Sequence, residues 1–165
     1  MARRPVTDLS AWPSISLEGN LIVPAMLARI DERAAPEQSP EDYGVRKGLT
    51  LREEISTAFR VGQSHFDTFR KLTNPSADAT RRFIKAFLKE TFGFDDIEDG
   101  AGLIGLSAGG KRIPAIIVPP DEERLDRRSA TLSIERSRSP AFALQDYLNE
   151  EDDALWGLAT NGMVI

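Results

Sequence analysis

The sequence has no cysteine and only one histidine, His65, among its 165 residues. Without cysteine there is no disulfide framework, no thiol nucleophile and no cysteine-ligated zinc or iron–sulfur site. A single histidine cannot form a histidine-rich metal site either. Any bound metal would therefore have to be held by carboxylates.

Long apolar segments are also missing. No segment approaches the roughly 18 uninterrupted apolar residues that a membrane-spanning helix requires. Arg3 and Arg4 near the N-terminus are not followed by the apolar region of a signal peptide. We therefore expect a soluble, cytoplasmic protein that does not associate with membranes.

An excess of positive charge is absent as well. The chain has 21 Lys and Arg against 26 Asp and Glu, for a net charge of −5. This balance argues against coating nucleic acid by bulk charge, so any DNA contact must be local. The hydrophobic content of 41% is sufficient for a core without disulfide or metal crosslinks.

Helical signals fill the first hundred residues, after an irregular arm over residues 1–20. Pro24 suits the first position of a helix, and Thr50 with Glu53 forms a capping box that starts a second helix over residues 51–72. Ser76 caps a third helix, which is amphipathic and basic. We expect residues 1–100 to form this arm and a helical part.

Short apolar runs bounded by turns follow from residue 101 onward and predict strands. They lie at residues 103–107, 113–118, 130–135 and 154–159, with a crossover helix over residues 140–149. The order predicts an α/β fold with a mixed sheet of four to five strands flanked by helices, in one compact domain with the helical part. Asn161-Gly162 then predicts a hairpin whose second strand begins at Met163. A natural chain rarely ends there, so we expect the sequence to be part of a longer protein.

Three C-terminal segments carry recognisable motifs: residues 131–137 (TLSIERS), 145–147 (QDY) and 156–162 (WGLATNG). With the order of elements, they resemble the restriction-endonuclease-like, PD-(D/E)XK-type cores at the N-termini of type I restriction subunits and type IIG restriction-modification methylases. In those families a Glu-x-Lys strand precedes a Gln/Tyr helix and a Trp-Gly…Thr-Asn-Gly hairpin. The N-terminal half resembles the methylase group at residues 18–22, Tyr43, residues 51–53 and residues 83–94.

The resemblance implies where a magnesium-dependent nuclease site would lie. Such a site uses an Asp in a Pro-Asp step, a Glu on the next strand and a Lys two residues after it. Here Glu135 is present, but Ala115 stands in place of the Asp and Ser137 in place of the Lys. Residues two apart on a strand share a face, so Glu135 and Ser137 would point together. One carboxylate cannot hold magnesium tightly, which favours a degenerate site with no metal.

An active site could still be assembled from other residues. Asp121 or Asp126 would supply the missing acid and Lys111 or Arg138 the cation. This alternative is an active, magnesium-dependent restriction endonuclease. Glu135 could equally be an exposed charge paired with a nearby arginine.

Other candidate residues lie on the helices. By the resemblance, Gln145 and Tyr147 belong to the nuclease-like site, although both also suit ordinary polar and packing positions of a helix. Arg81, Arg82, Lys85 and Lys89 form a positive stripe suited to DNA phosphates, or else a plain solvated face. Trp156 is expected in the core.

Taken together, the residues and the resemblance suggest a nuclease-like module of a restriction-modification or phage-defence DNA methyltransferase. We expect it to engage DNA or partner subunits without cleaving. The resemblance implies a downstream adenine-specific methyltransferase domain that uses S-adenosylmethionine, and no cofactor motif occurs in these residues. A protein-interaction module that never touches nucleic acid is the other alternative, favoured by the net charge of −5.

Overall fold

A computed structural model of the chain describes residues 22–121, 124–129, 132 and 138–164. The chain divides into two compact units, Met1–Ser56 and Thr57–Ile165, with the boundary inside the second helix. The predicted arm over residues 1–20 lies outside the described residues. None of the described helices is long and apolar enough to span a membrane.

Two helix starts in the first unit follow their capping signals. Helix α1 (Pro24–Asp31) has Pro24 at its first position, as predicted. The capping box is confirmed, because the Glu53 N–H donates to Thr50 Oγ1 at 3.3 Å and the Thr50 N–H donates to Glu53 Oε2 at 2.7 Å. Helix α2 (Leu51–Phe69) begins there and continues into the second unit.

Helix α3 (Ala77–Phe92) has a defined cap at each end. Ser76 Oγ accepts the Ala79 N–H at its start, and Gly93 ends it in a left-handed conformation with φ 75°. The ring of Phe83 stacks on Phe69 at the end of α2, with centroids 4.3 Å apart. These contacts join the C-terminal half of α2 to α3.

The second unit is built around one mixed sheet, which confirms the predicted α/β fold. Its strands are β1 (Glu98–Asp99), β2 (Leu106–Ala108), β3 (Ile113–Ile117) and β4 (Leu158–Thr160), in the order β1-β2-β3-β4. The first three are antiparallel, and β4 is parallel to β3. Helix α4 (Pro140–Glu150) forms where the crossover helix was predicted and precedes β4, which pairs parallel to β3.

Two strands differ from the prediction near glycine turns. Strand β2 begins at Leu106 and not at residue 103, because a turn uses the preceding residues: the Gly100 N–H donates to the Gly105 carbonyl and Gly102 has φ 63°. Strand β1 was not predicted, since two acidic residues give no apolar alternation. The predicted strand at residues 130–135 lies outside the described residues except for Leu132, which is buried.

Predictions around β4 need two corrections. The strand begins at Leu158, and the preceding Trp156 is 68% exposed, so its predicted core position is wrong. No second hairpin strand follows β4 up to Val164. Instead, the N–H groups of Met163 and Val164 donate to Asn161 Oδ1 at 2.9 and 2.7 Å. The Asn161 side chain therefore takes the backbone donors that a strand would use.

The two faces of β3 are packed against different helices. Ala115 and Ile117 lie with Ile84 of α3, whereas Ile116 and Val118 lie with Leu144 of α4. This alternation follows from the two-residue period of a strand. The sheet is consequently covered by α3 on one face and α4 on the other.

The Thr160-Asn161-Gly162 motif forms a buried turn at the end of β4. Thr160 and Asn161 are at most 1% exposed, and Thr160 Oγ1 donates to the Val164 carbonyl at 2.8 Å while accepting the Gly162 N–H at 2.9 Å. Gly162 has φ 83°, and a Cβ there would lie 2.6 Å from the Phe69 ring. The motif is thus explained by turn geometry and close packing.

Gly162→Ala is predicted to destabilise the protein by about 2–4 kcal/mol, from a left-handed backbone and a steric clash together. Gly110→Ala is the matched control, since Gly110 has φ 65° but nothing within 4 Å of the position that an added methyl group would take. It should cost only about 1–2 kcal/mol. Urea unfolding of both variants measures the difference, and equal losses would contradict the packing role of Gly162.

Candidate nucleic-acid interface

The four predicted DNA-binding residues lie together on one face of α3. Arg81, Lys85 and Lys89 follow one another at intervals of four residues, and Arg82 lies one position from Arg81. We call these four residues the basic face of α3. The apolar side of the helix, including Ile84 and Leu88, packs against the sheet, so its packing fixes where the basic face lies.

An aspartate on the edge strand neutralises half of the basic face. Asp99 of β1 accepts from Arg81 Nη1 at 3.0 Å and from Lys85 Nζ at 2.9 Å, and Arg81 also pairs with Asp78 at 3.0 Å. The hydrogen bond from Lys85 holds the pKa of Asp99 below its ordinary value, helped by the charges of Lys85 and Arg81. Asp99 therefore stays ionised and competes with any phosphate for these two cations.

The other two cations of the basic face are available. Arg82 and Lys89 are exposed and have no acidic partner among the residues that the structure describes. They can reach a DNA phosphate without first breaking an ion pair. The sequence identified the stripe, but it could not show that Asp99, ten or more residues further on, divides it.

Ala115, which the resemblance aligns with a metal-binding Asp, lies in an apolar environment. It is 5% exposed and packs with Ile84, Leu106 and Ile117. On the adjacent strands, Ala115 is paired with Leu106 of β2 and with Leu158 of β4. Glu135 and Ser137 lie outside the described residues.

The predicted Gln145 and Tyr147 are not brought to Ala115. Both belong to α4, which covers the opposite face of the sheet. Gln145 is exposed and its Nε2 donates to Asn149 Oδ1 at 3.0 Å, whereas Tyr147 packs against the core cluster around Ile116. Both positions have ordinary helical roles in this arrangement.

The alternative acid and cation are also separated. Lys111 precedes β3 and Asp121 follows it, and the strand between them is about 16 Å long. Asp126 forms an ion pair with Arg124, with Nε and Oδ1 2.9 Å apart. Arg138 is paired with Asp146 of α4. No group of three potential acidic or histidine metal ligands occurs in the described ranges.

One feature that sequence reasoning missed is a cleft of about 330 Å³ beside the start of α3. It is lined by Ala77, Asp78, Arg81, Gly100, Gly102, Leu103, Ile104, Gly105, Ile117 and Leu132. Gly100, Gly102 and Gly105 have the Gly-x-Gly-x-x-Gly spacing of nucleotide-binding loops, and this signal is visible in the sequence. They join two antiparallel strands, however, and a Cβ at Gly100 would lie 2.3 Å from the Ile104 carbonyl oxygen. The turn itself therefore requires this glycine, and the spacing does not mark a dinucleotide site.

The Asp99 ion pairs predict a pH-dependent contribution to stability. Because the pKa of Asp99 is lowered in the folded state, its contribution is present above the ordinary Asp value of about 3.9 and is lost as pH falls through the lower folded value. Asp99→Asn should reduce the free energy of unfolding more at about pH 7 than at about pH 3, below the ordinary Asp value. Urea unfolding measures this, with Asp152→Asn as the control. A loss of equal size at both pH values would contradict the ion-pair origin.

Comparison with protein-family models, curated proteins and solved structures finds no match for this chain.

Proposed function

We propose that this chain is a non-cleaving, nuclease-like module of a restriction-modification DNA methyltransferase, and that it engages DNA through the basic face of α3. The proposal that the module does not cleave DNA is supported by the apolar packing of Ala115. The motifs at residues 131–137, 145–147 and 156–162 support the nuclease-like assignment by resemblance. In that assignment a methyltransferase domain in the same protein supplies the chemistry, with S-adenosylmethionine as its methyl donor.

The environment of Ala115 opposes a metal site for a physical reason. A hydrated magnesium ion needs several oxygen ligands and keeps bound water, so its ligands must face an open, polar space. Ala115 contributes a methyl group surrounded by Ile84, Leu106 and Ile117. A carboxylate at this position would lose its hydration without gaining a partner, which is costly.

The DNA-binding part of the proposal rests on Arg82 and Lys89. Exposed cations on a helix suit phosphate contacts, which position a protein on DNA without reading its sequence. Two such contacts give weak binding, consistent with a module that adds to the affinity of another domain. Asp99 limits the strength further by occupying Arg81 and Lys85.

We expect the purified chain not to cleave plasmid DNA in magnesium or manganese, because Ala115 and Ser137 provide neither a metal ligand nor the lysine. Gel electrophoresis of the plasmid measures this, with Glu135→Ala and the exposed Glu98→Ala assayed beside the unaltered chain. Cleavage that disappears in Glu135→Ala but persists in Glu98→Ala would overturn the proposal and establish an active nuclease.

DNA binding is tested by reversing charges within the basic face and, as a control, at exposed residues outside it. Arg82→Glu with Lys89→Glu should weaken binding equally for all DNA sequences and reduce the slope of log affinity against log salt by about 1.8, for two lost phosphate contacts. The control pair, Lys71→Glu with Arg127→Glu, makes the same change of net charge on other exposed residues. Fluorescence anisotropy of labelled duplex DNA at several salt concentrations gives both quantities.

Asp99→Asn provides the opposite test. It should strengthen DNA binding by about twofold to fivefold, since Arg81 and Lys85 are released from surface ion pairs. Asp126→Asn also removes one exposed, arginine-paired carboxylate but leaves the basic face unchanged. Binding through α3 would be contradicted if Asp99→Asn and Asp126→Asn had equal effects. It would also be contradicted if Arg82→Glu with Lys89→Glu left DNA affinity unchanged.

A further inference from the structure

Leu155 and Trp156 are consecutive large apolar residues whose side chains are both exposed. Leu155 is 79% exposed and Trp156 is 68% exposed, among the highest values for large apolar residues in the described part of the chain. Tryptophan is costly to leave in water and is enriched where protein surfaces bind one another. Their exposure makes these two consecutive side chains accessible to another molecule.

The backbone on either side of this pair is anchored. Ala154 is 4% exposed and its N–H donates to the Glu151 carbonyl at 3.1 Å. On the other side, a Cβ at Gly157 would lie 2.5 Å from Leu144 Cδ1 and 3.1 Å from the Pro114 carbonyl oxygen, so the chain runs directly over the core. Two side chains on an anchored loop lose little backbone freedom when they bind, which favours affinity.

Four exposed carboxylates precede the apolar pair and are separated from it by the buried Ala154. They are Glu150 at the end of α4 and Glu151, Asp152 and Asp153 after it. Consecutive carboxylates repel DNA phosphates, which disfavours stacking of Trp156 on a base as its role. They are complementary to a segment that carries Lys and Arg beside its apolar residues.

We propose that residues 150–156, which begin at the last residue of α4 and which we call the acidic Trp loop, form a docking element for a partner protein segment that carries apolar residues flanked by lysine and arginine. Trp156 and Leu155 contact the apolar residues of that segment, and the carboxylates pair with its basic residues. This interaction is separate from DNA engagement by α3 and does not depend on it.

The test uses a library of random short displayed peptides, selected on the full chain and counter-selected on Trp156→Ala. Selected peptides should combine apolar residues with flanking Lys or Arg. Calorimetry with a synthetic selected peptide should show about thirtyfold weaker binding to Trp156→Ala, the size of an interface hot spot. Leu155→Ala should also weaken binding, and it keeps the test valid if Trp156→Ala does not fold.

Two controls separate the parts of the proposal. Phe59→Ala removes an aromatic side chain that is also 68% exposed but has Ala58 and Arg60 as neighbours, and it should leave peptide affinity unchanged. Replacing the four carboxylates by their amides should weaken binding and reduce its salt dependence. Loss of binding in Phe59→Ala, or no effect of the amides, would overturn the proposal.

Two further measurements test whether the acidic Trp loop binds nucleic acid or a second copy of this chain and not a partner protein. In a Trp12→Phe background Trp156 is the only tryptophan, so its emission reports directly on binding. A response to single-stranded DNA stronger than to the peptide would assign the loop to nucleic acid. Concentration-dependent dimers that disappear in Trp156→Ala would assign it to a second copy of this chain. Either result, or the absence of any peptide that distinguishes Trp156→Ala, overturns the proposal.

Discussion

Strand β3 is the element on which the rest of the second unit depends. Its residues 114–117 are buried, both of its edges are hydrogen-bonded, and its two faces contact different helices. A strand covered on both faces requires apolar side chains on both of them, which Ile-Pro-Ala-Ile-Ile supplies. The positions of α3, α4 and β4 all follow from packing against it.

The centre of the sheet and its outer surfaces differ in chemistry. At the centre, where the resemblance implies a metal-binding Asp, Ala115 lies between its pairing partners Leu106 and Leu158. On the outer surfaces the described residues include the basic face of α3 and the acidic Trp loop, which are opposite in charge.

Asp99 shows how one residue adjusts such a surface. The chain has a net charge of −5, and part of that negative charge lies close enough to α3 to hold Arg81 and Lys85 in ion pairs. Each pair is exposed and weak by itself. Their combined effect is to reduce the positive charge of the basic face, which leaves Arg82 and Lys89 as its cations without an acidic partner among the described residues.

Local chemistry in the sequence determined the helices and the class of the fold. Pro24, the Thr50–Glu53 capping box and the Ser76 cap act through neighbouring backbone groups, so their effects could be predicted from the residues alone. The apolar run at residues 113–118 likewise predicted a strand, which the structure forms over Ile113–Ile117. The basic stripe of α3 followed from helical periodicity, because residues four apart share a face.

Only the tertiary structure decided which charges remain available and which aromatic residues are buried. Asp99 reaches Arg81 and Lys85 because β1 forms beside α3, a pairing of distant segments that no local pattern encodes. Trp156 has an apolar sequence context but is exposed, since Gly157 approaches Pro114 and Leu144 and β4 begins only at Leu158. Burial and ion pairing depend on which segments meet in space, and hydrophobic periodicity specifies only the face that each segment presents.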